Sequence, residues 1–157
     1  MKQTRIISAF PVCGKTHLFN NGYKDKIIID SDSSKFSWLE DGTTRNPCFP
    51  QNYIEHIKEN IGKVDYILVS SHIDVRRSLD ENDLCWCFVV PDKSLMLEWV
   101  GRCYIRGNNE GFIKALISNW DNWTGNVGDP MPNGSSVLTS GEHLKDKMFF
   151  IETLTYN

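Results

Sequence analysis

Apolar and polar positions alternate along this chain in blocks that predict strands and helices in turn. Short, almost unbroken apolar runs occur at Arg5-Ile6-Ile7-Ser8-Ala9, at Lys26-Ile27-Ile28-Ile29-Asp30, from Val64 to Ser70 and from Leu84 to Val90. Runs of this length without period-two alternation belong to strands buried on both faces, as in parallel sheets. Between them the period becomes helical. Pro50 suits a first turn, Ile54, Ile57 and Ile61 recur at helical spacing, and Gly62 is a natural stop. His72 to Asp80 reads as a short helix. Leu95 to Arg106 reads as a longer one, with Ser94 or Asp92 as cap and Gly107 as stop. Asn109 to Trp123 carries an apolar stripe that includes Trp120 and Trp123, read as core packing in preference to base stacking. Thr124 to Ser135 is a Gly/Pro-rich loop, and Ser136 to Thr139 is a fifth strand candidate. From Gly141 onward the period does not separate helix from strand.

Such alternation predicts an α/β fold: a parallel, roughly five-stranded sheet with helices on both faces. Ligands in such sheets sit outside the C-terminal strand ends. The loops that follow the apolar runs are therefore where chemistry is expected.

Composition narrows the classes. The chain has 157 residues, 40% hydrophobic and 24% charged, which predicts one ordinary globular domain with a sizeable core. A net charge of −3 provides no general attraction to nucleic acid or anionic membrane. Any phosphate binding must come from local placement of Lys and Arg. No apolar window approaches a membrane span, and Ile6 to Phe10 is too short for a signal peptide. Five cysteines without framework spacing point to a reducing, cytoplasmic compartment. Cys85-Trp86-Cys87 is C-x-C, and a core reading is preferred to zinc.

The segment Ala9-Phe10-Pro11-Val12-Cys13-Gly14-Lys15-Thr16 matches the phosphate-binding loop G-x-x-x-x-G-K-[ST], with Ala9 in place of the first Gly. An apolar strand precedes it and a helix can open at Thr16. That context gathers backbone N–H groups around one anion. Pro11, Val12, Cys13, Gly14, Lys15 and Thr16 are expected to cradle phosphates, with Lys15 on the β- and γ-phosphates and the Thr16 hydroxyl on Mg²⁺. Ala9 departs from the motif because alanine tolerates positive φ poorly. Cys13 is a small filler whose oxidation would block the loop.

Asp30-Ser31-Asp32 follows the second run directly. Facing a triphosphate, one carboxylate could support Mg²⁺ and the other take a proton from an acceptor hydroxyl. A turn or helix cap is the structural alternative. Arg102 and Arg106 are four apart and share a helix face. Arg106 also suits a last helical turn for dipole reasons alone.

With these pieces the chain resembles the small P-loop kinases, the class of shikimate, gluconate, nucleoside and nucleoside-monophosphate kinases. A-F-P-V-C-G-K-T, D-S-D and the late R-x-x-x-R helix carry the resemblance, over roughly residues 4–107. It also resembles short kinase-like proteins of bacteriophages. The resemblance implies a P-loop three-layer sandwich, ATP and Mg²⁺, metal contacts from Thr16 and Asp30, and catalytic roles for Lys15, Asp32, Arg102 and Arg106. Residues 93–109 would form a small helical lid presenting the arginines. Two departures stand out: Leu68-Val69-Ser70-Ser71-His72 places hydroxyls where many ATPases end the third strand in Asp, and the glycine-rich stretch of shikimate kinases is missing there.

The expected activity is phosphoryl transfer to a nucleoside or nucleoside monophosphate. Asp32, Phe36, Trp38 and Arg76 are the expected acceptor contacts. Phe36 and Trp38 could equally be core, and Arg76-Arg77 a solvated helix face. His72 is a candidate base or a structural hydrogen-bonder. Expected partners are a nucleotide and a small acceptor, with no nucleic acid and no membrane. A nucleotide-binding regulatory protein without transfer, a kinase of another metabolite and an NTPase are the alternatives. The missing strand-three Asp counts against the NTPase.

Overall fold

The computed structural model describes residues 1–130 and 132–154. Five parallel strands form one sheet in the order β2-β3-β1-β4-β5. They are β1 (Arg5–Ala9), β2 (Ile28–Asp30), β3 (Tyr66–Ser70), β4 (Trp86–Pro91) and β5 (Gly134–Leu138). The chain moves outward from β1 to β2, returns to β3, then crosses β1 to reach β4 and β5. β1 is thus central, pairing Ala9 with Ser70 on one side and Val89 on the other. Both faces of the sheet are covered, since β4 is buried at every residue and β1 and β3 at all but one.

The helices are α1 (Lys15–Asn21), α2 (Ser34–Ser37), α3 (Gln51–Asn60), α4 (Ile73–Glu81), α5 (Met96–Arg106), α6 (Glu110–Ser118), α7 (Trp120–Trp123) and α8 (Met148–Thr153). Two expectations need correction, and one reading left open is decided. The helix read from Asn109 to Trp123 breaks at Asn119, whose N–H and side chain both turn back onto the Ala115 carbonyl. The fifth strand starts at Gly134, inside the segment read as loop, because Cys87 pairs with it in the sheet. After Gly141 the chain is helical, with a 3₁₀ turn at Leu144–Lys147 leading into α8.

Gly107 ends α5 in the left-handed conformation (φ 85°), and its N–H bonds the Cys103 carbonyl. α5 also belongs to the core. Trp99 and Cys103 are fully buried, and Phe10, Trp99 and Trp120 form an edge-on aromatic group. Trp120 therefore packs as core, its indole N–H donating to the Lys93 carbonyl at 2.8 Å. Cys87 and Trp86 are buried as well. Among the described residues no helix is long and apolar enough to cross a membrane.

Trp99 joins the core to the loop after β1, so its removal tests that joint. Trp99→Ala is expected to destabilise the protein by about 3–5 kcal/mol, read by chemical denaturation. A loss below about 1 kcal/mol would mean the aromatic group is not a structural anchor.

Candidate functional site

The segment after β1 is set by its two ends. Ala9 stays in the strand, fully buried, so the alanine meets no positive φ. Positive φ falls instead at Val12 (60°) and Gly14 (102°). A β-branched residue in the left-handed region is strained, and strain of this kind gathers at functional sites. Phe10 roots the loop in the core, with its N–H on the Val89 carbonyl at 2.9 Å. The Trp99 indole donates to the Pro11 carbonyl at 2.9 Å, and the Leu144 N–H donates to the Cys13 carbonyl at 2.8 Å. The first helical bond of α1 runs from Leu18 to the Gly14 carbonyl at 2.9 Å. The amides of Lys15, Thr16 and His17 therefore lie ahead of the helical ladder. Lys15 Nζ folds back onto the Ala9 carbonyl at 2.7 Å.

The loop after β2 is held equally firmly. The Tyr53 hydroxyl donates to the Ser31 carbonyl at 2.5 Å and accepts the Ser70 N–H at 3.3 Å, tying the ends of β2 and β3 together. Ser31 Oγ meets His56 Nε2 at 3.0 Å. Asp32 Oδ1 accepts the Ser34 N–H at 2.9 Å, which is the turn role. Burial raises the pKa of Asp30, with Asp32 adding to the rise, while the Lys15 ammonium and a hydrogen bond from Thr16 oppose it.

These loops enclose a cleft of about 880 Å³ at the C-terminal strand ends. Pro11, Val12, Gly14, Lys15 and Thr16 line it, as do Asp30 and Asp32, and so do Arg102 and Arg106. The Cys13 side chain does not. It is 1% exposed, and burial pushes its thiol pKa up. Thr16 and Asp30 bring a hydroxyl and a carboxylate together. Magnesium held between a protein and phosphates needs only one or two protein oxygens, so this pair fits that ion.

Three expected acceptor contacts are elsewhere. Arg76 is 2% exposed, donating through Nε to the Ser71 carbonyl at 2.8 Å and through Nη1 to Asp129 at 3.3 Å, with its guanidinium over Phe88. The helical period of α4 turns it inward. Phe36 packs on His56 and Tyr53 at centroid distances of 4.8 and 5.2 Å. Trp38 bridges to Arg45 in an outward hairpin, and the Arg45 guanidinium covers its ring. His72 caps α4 by accepting the Asp74 N–H, and Arg77 is exposed.

The sequence reading missed Glu98 and the turn before His143, which also line the cleft. Glu98 Oε1 accepts from Ser140 Oγ at 2.5 Å, while Oε2 accepts from the Gly141 N–H at 3.2 Å and Arg102 Nη2 at 3.0 Å. These donors hold its carboxyl below the usual range. Arg102 Nη2 also reaches the Glu142 carbonyl at 2.6 Å, and its guanidinium lies 3.9 Å from the Trp99 ring centroid. His143 sits against Gly14, where a Cβ would approach its side chain to 3.6 Å. Burial, then Arg102, lowers the His143 pKa. The i, i+4 spacing of Glu98 and Arg102 was visible in the chain. The meeting of α5 with residues 139–143 was not, because it depends on where β5 ends.

No protein-family model and no curated protein matches this chain. A solved structure of an uncharacterized protein from Eubacterium ventriosum ATCC 27560 has a similar fold. It shares 13% identity, with a TM-score of 0.50 over 97% of this chain and 98% of that one. At that identity the likeness concerns the fold alone.

Asp30 has a folded pKa raised above its unfolded value, so its charged form opposes folding at neutral pH, and the penalty fades as pH falls through the folded pKa. Asp30→Asn should therefore raise Tm at pH 7, with the gain shrinking towards pH 4. An unchanged or lower Tm at pH 7 contradicts this. Arg76→Ala should cost about 3 kcal/mol, the low end for a broken buried pair because Asp129 keeps some contact with water. The measurement is denaturant unfolding, and a near-neutral effect would return Arg76 to the surface.

Proposed function

We propose that this chain is an ATP- and Mg²⁺-dependent phosphotransferase on a P-loop kinase fold. Its γ-phosphoryl acceptor is small, with a nucleoside or nucleoside monophosphate as first choice. One observation carries the reading. A single cleft at the ends of β1 and β2 collects Lys15, Thr16, Asp30, Asp32, Arg102 and Arg106. These groups come from three separate parts of the chain, and their chemistry matches what phosphoryl transfer requires.

In this reading the loop from Pro11 to Thr16 cradles the triphosphate, and Lys15 exchanges the Ala9 carbonyl for phosphate oxygens. Thr16 and Asp30 hold Mg²⁺, which neutralises charge on the phosphates when bound. Asp32 orients the acceptor hydroxyl and takes its proton as the new O–P bond forms and the bond to ADP breaks. Arg102 and Arg106 stabilise charge on the phosphoryl group in transit. Catalysis is then mainly positioning and charge neutralisation.

A second reading, binding without transfer, draws on three existing engagements. Lys15 is bonded to Ala9, Arg102 to Glu98 and Glu142, and Asp32 to Ser34. Incubation with Mg²⁺-ATP and a panel of nucleosides, monophosphates and small polyols, followed by ADP release, separates the two. ADP release with one acceptor supports the kinase. Tight ATP binding with no transfer to any acceptor supports the binder.

Lys15→Ala should abolish transfer and sharply weaken triphosphate binding without changing the far-ultraviolet circular dichroism spectrum. Asp32→Asn should lower turnover about a hundredfold or more, on the scale of a lost general base, and leave ATP affinity nearly parental. Parental turnover in either variant rules out the assigned role.

A further inference from the structure

We propose that Glu98 is a positioning residue, holding Arg102 against the phosphate loop and fixing the Ser140-Gly141 turn at the cleft rim. The proposal rests on the kinase reading above. An arginine has long, flexible reach, and its side-chain freedom opposes any single placement. Arg102 is nevertheless held in one. Its guanidinium covers the ring of Trp99, and Trp99 itself is buried and bonded to the Pro11 carbonyl of the loop. Nη2 is taken by Glu98 and by the Glu142 carbonyl. Nη1 is enclosed with no acceptor among the described residues.

Glu98 is more than the usual partner in a surface i, i+4 pair. Such pairs join two solvated side chains and little else. Here the arginine side chain is 12% exposed, and the carboxylate takes three donors from two segments far apart in sequence. One of its oxygens serves both Arg102 and the Gly141 N–H, so displacing the arginine and displacing the turn are linked. That turn leads into Leu144, whose N–H holds the Cys13 carbonyl. Glu98 thus connects α5 with residues 139–144, and through Leu144 with the phosphate loop. An amide at this position can keep an oxygen for Arg102 and Gly141 with its NH₂ on the Ser140 hydroxyl, but it loses the negative charge that holds the guanidinium. An aspartate would keep the charge but lose the reach to one segment.

The test is a double-mutant cycle on the full chain with Glu98→Gln, Arg102→Ala and the double variant. Four quantities are read: single-turnover transfer from Mg²⁺-ATP, ATP affinity, affinity for ADP with aluminium fluoride, and Tm. Glu98→Gln should slow transfer about tenfold and weaken the ADP–aluminium fluoride complex in parallel, with ATP affinity within about twofold of parent. In the Arg102→Ala background it should slow transfer no further, because the residue it positions is gone. Glu98→Asp, tested alongside, should recover part of the rate and serves if Glu98→Gln does not fold. Losses that multiply across the cycle, or an unaffected rate and complex, overturn the positioning role while leaving the kinase reading intact. A parent that neither transfers phosphate nor binds ADP with aluminium fluoride overturns both. A parent that binds the complex without transfer overturns the kinase reading alone, and the cycle in complex affinity still decides the role of Glu98.

Discussion

The architecture of the cleft depends on how the backbone of residues 10–14 is held from below. Two of its carbonyls, and that of Ala9 just before it, each take one of three donors. Lys15 Nζ takes Ala9, the Trp99 indole takes Pro11, and the Leu144 N–H takes Cys13. With its carbonyls drawn towards the protein, the loop can turn through positive φ at Val12 and Gly14 and leave its following amides outside the helix ladder. The strain at Val12 persists because these bonds and the buried Phe10 over-determine the path. Two of the three donors come from distant parts of the chain, so the loop is a product of the whole fold.

Charge follows the same arrangement. Lys15 and Thr16 open α1 after β1, Asp30 ends β2 with Asp32 just beyond it, and Arg102 comes from α5 through the Glu98 network. Asp30 bears the electrostatic cost, since burial and Asp32 oppose its ionisation while Lys15 and Thr16 assist it. Arg76 shows the opposite case. Its buried ion pair with Asp129 supports the packing of α4 and takes no part in the cleft.

Much of the fold was legible because it arises from local patterns. Continuous apolar runs marked β1, β2, β3 and β4, and Gly107 marked the end of α5, while Asp92 caps the 3₁₀ turn Lys93–Leu95 that leads into it. The strand-loop-helix context of Gly14-Lys15-Thr16 and the D-S-D after β2 placed five cleft residues in advance: Lys15, Thr16, Asp30, Asp32 and Gly14. Where the reading failed, a tertiary partner outweighed the local signal. Gly134 and Ser135 looked like loop until Cys87 and Phe88 paired with them. Asn119 broke a periodic stripe through its own side chain. Phe36 and Trp38 followed the acidic pair in sequence, yet packing on His56 and pairing with Arg45 took them away from it.

The sequence by itself determined which segments become strands and helices and which loops are rich in polar and charged groups, because propensity, period and turn residues act over a few positions. Only the tertiary structure decided which face of α5 meets the cleft, which face of α4 turns into the core and which distant groups lock the loop. It alone joined Glu98 to the Ser140-Gly141 turn and kept Arg76 inside. Those outcomes turn on the strand order β2-β3-β1-β4-β5, which brings residues up to about 130 positions apart to one end of the sheet. No local pattern encodes that proximity, since it is set by burying both faces of the sheet at once.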